Sequence, residues 1–119
     1  MENMKKILIV EDDMILGMLN KKIVLALGHQ VTGLARNANE AIESVKVCEP
    51  DFILIDIRLK DSWDGIQVME EITKISTARA IYATGSSEEE TIQRAKKTNM
   101  IAFLVKPISF EMLKEILEK

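Results

Sequence analysis

Cysteine is almost absent from this chain. Cys48 is the only one in 119 residues, so no internal disulfide can form, and no CxxC or His/Cys cluster offers a zinc site. Histidine is single too: His29 has no acidic or nucleophilic neighbour in a recognisable motif, which reads as a residue of the loop leading into a strand and not as a phosphocarrier. Basic charge is not in excess; a formal net charge of −3 leaves no electrostatic footprint for direct nucleic acid binding. No apolar run approaches the roughly 20 residues of a membrane span, and the N-terminus lacks a signal-peptide layout, so the expectation is no membrane and a cytoplasmic location. Repeats, low-complexity tracts and linkers are missing as well. The reading is one domain over residues 1–119, long enough to bury a core without staples. What is present, 47% apolar and 29% charged residues, is the balance of a soluble globular protein.

The densest apolar stretch is PDFILIDIRLKDSWDG, Pro50 to Gly65. Phe52 to Ile55 and Ile57 flank a single acid, Asp56, as expected of a central parallel strand buried on both faces. Lys5 to Val10 is a second such run and stops at Glu11-Asp12-Asp13. A helix is expected from Asp13, as N-cap, to Leu27, with Gly28 beyond its end and Ile15, Leu16, Leu19, Ile23, Ala26 and Leu27 facing the core. Gln30 to Ala35 is a weak edge strand. Asn37 to Glu49 is a helix opened by an Asn37/Glu40 capping box, with Ala38, Ala41, Ile42 and Val45 inward and Cys48 a small core residue. A third helix follows Gly65, burying Ile66, Met69 and Ile72. Arg79 to Thr84 is the fourth strand; a polar helix capped by Ser87 and Glu90 follows, with little beyond Ile92 and Ala95 to bury. Ile101 to Val105 is the fifth strand, and a last helix from Ser109 presents Phe110, Leu113, Ile116 and Leu117.

Five strands alternating with five helices predict an α/β three-layer sandwich: a doubly wound, flavodoxin-like (βα)5 fold whose parallel sheet runs 2-1-3-4-5. Ligands bind such sheets beyond the carboxyl ends of the strands, at the switch point between strands 1 and 3. Glu11, Asp12, Asp56, Thr84 and Lys106 all fall at that edge. Carboxylates about 4 Å apart repel by about 4 kcal/mol per pair at an effective dielectric of 20. Raising a pKa or binding a divalent cation relieves this, and an all-oxygen donor set with water suits Mg2+. Asp56 could then act as a nucleophile, with Thr84 and Lys106 binding oxygens of an incoming phosphoryl group.

The segments ILIVEDD, ILIDIRL…DG, the strand-end Thr84 and FLVKP, in this order, resemble the receiver domains of two-component response regulators, the chemotaxis regulators included. The resemblance covers essentially the whole chain. It implies that Asp56 is the phosphoacceptor, that Asp12 binds Mg2+ directly with Glu11 assisting through water, and that the backbone carbonyl of Arg58 completes the metal site. It implies further that Thr84 and Lys106 hold the phosphoryl group, that Lys106-Pro107 is cis, and that Phe103 is the aromatic switch residue moving the fourth helix, fifth strand and fifth helix. The implied partners are a sensor histidine kinase or a phosphotransfer protein, an output domain or target protein, and a second copy in a phosphorylation-dependent homodimer. Its chemistry would be limited to self-phosphorylation and autodephosphorylation.

Two departures stand out. Receiver domains usually carry proline where Lys60 stands, and their loop to Asp64-Gly65 is usually one residue shorter. Trp63 is expected to be exposed in that loop. The alternative from another class is a pseudo-receiver, a binding module that keeps the fold without phosphorylation. A phosphohydrolase with an Asp nucleophile would need a second acid where Arg58 stands.

Overall fold

The computed structural model describes residues 4–118, in which strands and helices alternate: β1 (Lys6–Val10), α1 (Met14–Ala26), β2 (Gln30–Ala35), α2 (Ala38–Val47), β3 (Phe52–Asp56), α3 (Gly65–Ile72), β4 (Arg79–Thr84), α4 (Glu89–Lys96), β5 (Met100–Val105) and α5 (Phe110–Leu117). The strands form a parallel sheet in the order β2-β1-β3-β4-β5, the doubly wound flavodoxin-like arrangement expected. Side chains alternate across it. Leu8, Val10, Ile53, Ile55, Ala80 and Tyr82 pack under α2, α3 and α4. Ile7, Ile9, Phe52, Leu54 and Ile81 pack under α1 and α5. Covering both faces removes any need for polar alternation, so β1 and β3 read as continuous apolar runs.

Register decides what reaches the carboxyl edge. Val10 lies opposite Ile55, Asp56 opposite Ala83, and Thr84 opposite Val105. Glu11, Asp56, Thr84 and Lys106 therefore emerge in staggered sequence along one rim, at the crevice left where the strand order reverses between β1 and β3. Helix ends are closed by short side chains. Asp13 accepts the amides of Ile15 and Leu16 at 2.9 and 3.1 Å, and Ser109 accepts that of Met112 at 3.2 Å. Asp64 and Gln67 form a reciprocal capping box at the start of α3, which the sequence reading had not identified. Beyond α1, Gly28 takes φ 88°, a left-handed conformation that favours glycine.

Several local expectations give way. On α1 it is Gly17 and Val24 that are buried, while Ile15, Leu16, Leu19 and Ala26 are exposed. Ile23 and Leu27 keep partial core contact. Apolar residues surround this helix, so their pattern cannot fix its rotation. Close approach does, since a Cβ at Gly17 would lie 3.1 Å from Leu34 Cδ1 on β2. Cys48 is exposed because α2 ends at Val47 and Cys48 turns to extended backbone, leaving the helical stripe. Phe110 is exposed in the first turn of α5, and fully buried contact begins at Leu113. Asn37 does cap Glu40, but the Glu40 carboxylate takes the amide of Arg36 instead of returning to Asn37. The Ser87/Glu90 box does not form: α4 starts after Glu88, whose side chain makes no capping bond and receives the Ser86 hydroxyl at 3.3 Å.

Gly65 is where α3 presses on the site strand. Its amide donates to the Ile57 carbonyl at 2.8 Å, and a Cβ there would collide with the carbonyl oxygen of Asp56. Because the obstacle is backbone, it cannot swing aside. Gly65→Ala is expected to lower stability in urea unfolding by about 2–3 kcal/mol. Gly85→Ala, whose Cβ would meet nothing within 4 Å, is expected to change it by less than about 1 kcal/mol. Equal effects would show that the Asp56 peptide does not constrain position 65.

Candidate functional site

Each strand end contributes through a specific backbone link. The Glu11 amide donates to Ala35 on β2 at 2.9 Å, the Ile57 amide to Ala83 on β4 at 3.0 Å, and the Lys106 amide to Thr84 at 2.7 Å. These bonds carry the sheet one residue past the ends of β1, β3 and β5, and so fix where the next side chains start. The Lys106-Pro107 bond is cis, as the resemblance implies.

The Lys106 amine lies 2.9 Å from Asp56 Oδ2 and 3.3 Å from Glu11 Oε1. Asp56 and Glu11 are 6% and 3% exposed, so this pairing takes place largely out of water. Asp56 Oδ1 accepts the amide of Arg58 at 3.1 Å, and Glu11 Oε2 accepts that of Asp13 at 3.1 Å. Asp12 is half-buried, and Glu11, Asp12 and Asp56 each offer an oxygen within 4.8 Å of the others. One ammonium cannot neutralise three carboxylates. Burial pushes the Glu11 carboxyl up to about 7, and the charge of Asp56 adds to it, against the opposing pull of the Asp13 amide and Lys106. Burial opposes the charge on Lys106, but hydrogen bonding and attraction from Asp56, with Glu11 behind it, hold its pKa above the usual lysine value.

The remaining predicted residues lie around this centre. Thr84 is buried at 2% exposure, its Oγ1 accepting the Ser86 amide at 3.4 Å. The Arg58 side chain is exposed. Phe103 is partly buried against the α2–α4 side of the core, and Trp63 is 36% exposed. Two features of the rim were not anticipated. Backbone amides of the β3–α3 loop reach the acids: Lys60 donates to Asp12 Oδ2 at 3.0 Å. Arg94 of α4 forms an ion pair with Asp64, the α3 cap, at 3.0 Å. The departure at Lys60 was the sequence signal for the first. The second joins residues 30 apart with no local signature.

Comparison with known proteins gives one consistent result. The response regulator receiver domain family matches residues 7–118. Over 116 residues the chain is 33% identical to the chemotaxis protein CheY of Thermotoga maritima, covering 97% of this chain and 96% of that protein. It is 28% identical over 109 residues to the transcriptional regulatory protein PdtaR of Mycobacterium tuberculosis, covering 92% of this chain and 53% of that longer protein. Among solved structures it is similar to the signal receiver domain of a modulated diguanylate cyclase from Desulfovibrio desulfuricans, with a TM-score of 0.88 at 30% identity, covering 97% of this chain and 91% of that one.

The raised Glu11 pKa has a consequence for stability. Between about pH 4.5 and about pH 7 the folded protein holds a proton on Glu11 that the unfolded chain has released, so this group's contribution falls as pH rises across that window. Without divalent metal, Glu11→Gln is expected to match the parent near the lower limit. Its advantage should grow to on the order of 1–3 kcal/mol above the upper one. Paired denaturant melts across pH measure this, and a difference independent of pH would contradict it.

Proposed function

The chain belongs to the response regulator receiver domain family, and on that premise we propose that it accepts a phosphoryl group on Asp56 from a sensor histidine kinase or phosphotransfer protein. The observation that carries this is the buried Asp56 carboxylate, held at 2.9 Å by the Lys106 amine beside the cluster it forms with Glu11 and Asp12. The donor set is all oxygen, without nitrogen or sulfur, and has excess negative charge, which fits a hard cation such as Mg2+. Glu11, Asp12, Asp56 and the backbone carbonyl of Arg58 would hold it. When bound, it would supply charge neutralisation for the carboxylates and the phosphoryl oxygens.

The chain's own groups do the rest. A carboxylate oxygen of Asp56 forms the new O–P bond while the N–P bond to the donor's histidine breaks, its electron pair staying on nitrogen. Lys106, already at Asp56, pairs with the added charge, and Thr84 Oγ1 donates its proton to a phosphoryl oxygen. Burial limits water at the acyl phosphate. The protein is then a signalling module whose chemistry ends at self-phosphorylation and autodephosphorylation. A cytoplasmic location belongs to the same reading; no helix among the described residues is long and apolar enough to cross a membrane.

Incubation with Mg2+ and a small-molecule phosphodonor, followed by intact mass, is expected to add one phosphate. Asp56→Asn or chelation of the metal should abolish it. No addition to the parent would leave the non-phosphorylated binding module as the function.

Output is expected through α4, β5 and α5, with Thr84 and Phe103 as the switch. Support comes from how α4 is held. Ala95 is its one buried residue and Glu88 leaves its N-terminus without a side-chain cap. At the other end, the Tyr82 hydroxyl meets Thr98 Oγ1 at 2.6 Å, and Thr98 in turn donates to the Ala95 carbonyl at 2.6 Å. A helix pinned at its C-terminal end alone is cheap to swing. That surface would serve an output domain, a target protein, or a second copy in a phosphorylation-dependent homodimer. Phosphorylation should move amide resonances of residues 86–97 and 101–103. Thr84→Ala should still accept phosphate but lose most of those shifts. Shifts confined to the Asp56 rim in the parent would exclude the switch.

A further inference from the structure

The loop between β3 and α3 departs from the receiver pattern in length and at Lys60, and both departures bear on the metal ligands. The Lys60 amide crosses to Asp12 Oδ2 at 3.0 Å, joining residues 48 apart. Proline, the residue expected at this position, has no N–H and could not make this bond. The next residue anchors the loop elsewhere. Asp61 Oδ2 accepts the amide of Ala38 at 2.9 Å, and its Oδ1 accepts that of Ser62 at 2.7 Å. Ala38 opens α2, so its amide has no acceptor within the helix. Those two amides hold the Asp61 carboxyl below its ordinary range. On the β3 side, the buried Leu59 donates to Ile57 at 3.2 Å.

We propose that Lys60 and Asp61 form a strap that positions Asp12 for the divalent cation, with Asp61 tying the strap to the start of α2 and Lys60 orienting the carboxylate. The inference rests on the metal reading given above and deepens it. Asp12 is the least buried of the three acids, and without a donor its side chain would spread over several rotamers. One amide occupies one lone pair of Oδ2 and leaves Oδ1 for the cation. Until a cation arrives, the same amide dipole offsets part of the repulsion among the carboxylates. Outer partners of metal-binding carboxylates typically account for 10- to 100-fold in affinity, which is the scale expected of this strap.

Trp63, the only tryptophan, lies in the same loop and provides the readout. Mg2+ titration followed by Trp63 emission is expected to show affinity falling about tenfold in Lys60→Pro. Asp61→Ala should weaken it several-fold, whereas Asp61→Asn, which keeps an acceptor for the Ala38 amide, should retain the parent value. Metal-free melts identify any variant that fails to fold, and the Asp61→Ala and Asp61→Asn pair carries the test if Lys60→Pro is one. Parent and variants binding Mg2+ equally, or more tightly in the variants, would overturn the strap while leaving the metal site intact. A parent that binds no Mg2+ overturns the metal reading instead. Amide exchange in metal-free protein then decides the contact by itself: Lys60 protected in the parent and unprotected in Asp12→Ala upholds it, and Lys60 unprotected in both removes it.

Discussion

Everything at the carboxyl edge of this sheet follows from confining three carboxylates around one ammonium. Glu11 and Asp56 are nearly inaccessible to water, and Lys106 is their shared counter-charge. Neighbouring β1 and β3 deliver the acids, and two strands away from β3, β5 delivers the lysine, so the cluster needs β1, β3, β4 and β5 in place together. The rest of the site answers that charge imbalance. Amides of Asp13, Arg58 and Lys60 are turned onto carboxylate oxygens, one for each acid. Backbone donors suit this task because they add dipoles without adding side chains that would fill the crevice.

The scaffold is stiff where the charges meet and loose where the response is expected. Burial of Ile53, Leu54 and Ile55, with α3 closing directly over the Asp56 peptide at Gly65, leaves β3 no freedom. By contrast α4 has one buried side chain. Its Arg94–Asp64 ion pair is solvent-exposed enough to be worth little, on the order of 0–1 kcal/mol. The Tyr82–Thr98 contact is different in kind. Tyr82 is fully buried, and burial pushes its phenol up to about 12, so the hydroxyl stays neutral and satisfied by Thr98.

What could be read from the sequence divides along the same line. The parallel sheet, its order and the meeting of Glu11, Asp12, Asp56 and Lys106 were legible because four of the five strands are short apolar runs that deliver a polar residue at the carboxyl end, β2 being the exception. Helix rotation was not. Around α1 the apolar residues number too many to mark one face, and the sheet contact is set by the small Gly17 against Leu34, which hydrophobicity patterns ignore. The start of α4 was misjudged because Ser86 and Glu88 satisfy one another, a choice made by side-chain reach rather than by spacing. The amide of Lys60 on Asp12 was invisible for a further reason: a backbone donor leaves no residue-type signature except, here, the absence of proline.

That last contact changes how substitutions in this loop should be weighed. A side-chain survey assigns Lys60 and Asp61 to solvent, since both are exposed. Yet Asp61 ties the loop to α2 and Lys60 ties it to Asp12, while Asp64 at its far end caps α3 and meets Arg94 of α4. The loop therefore joins two rim acids' surroundings to three helices, α2, α3 and α4, on the same face of the sheet. A charge placed on Asp56 acts directly on the Arg58 amide, at the beginning of this segment. Exposure alone thus underestimates what these residues constrain, and hydrogen-bond topology gives the better measure.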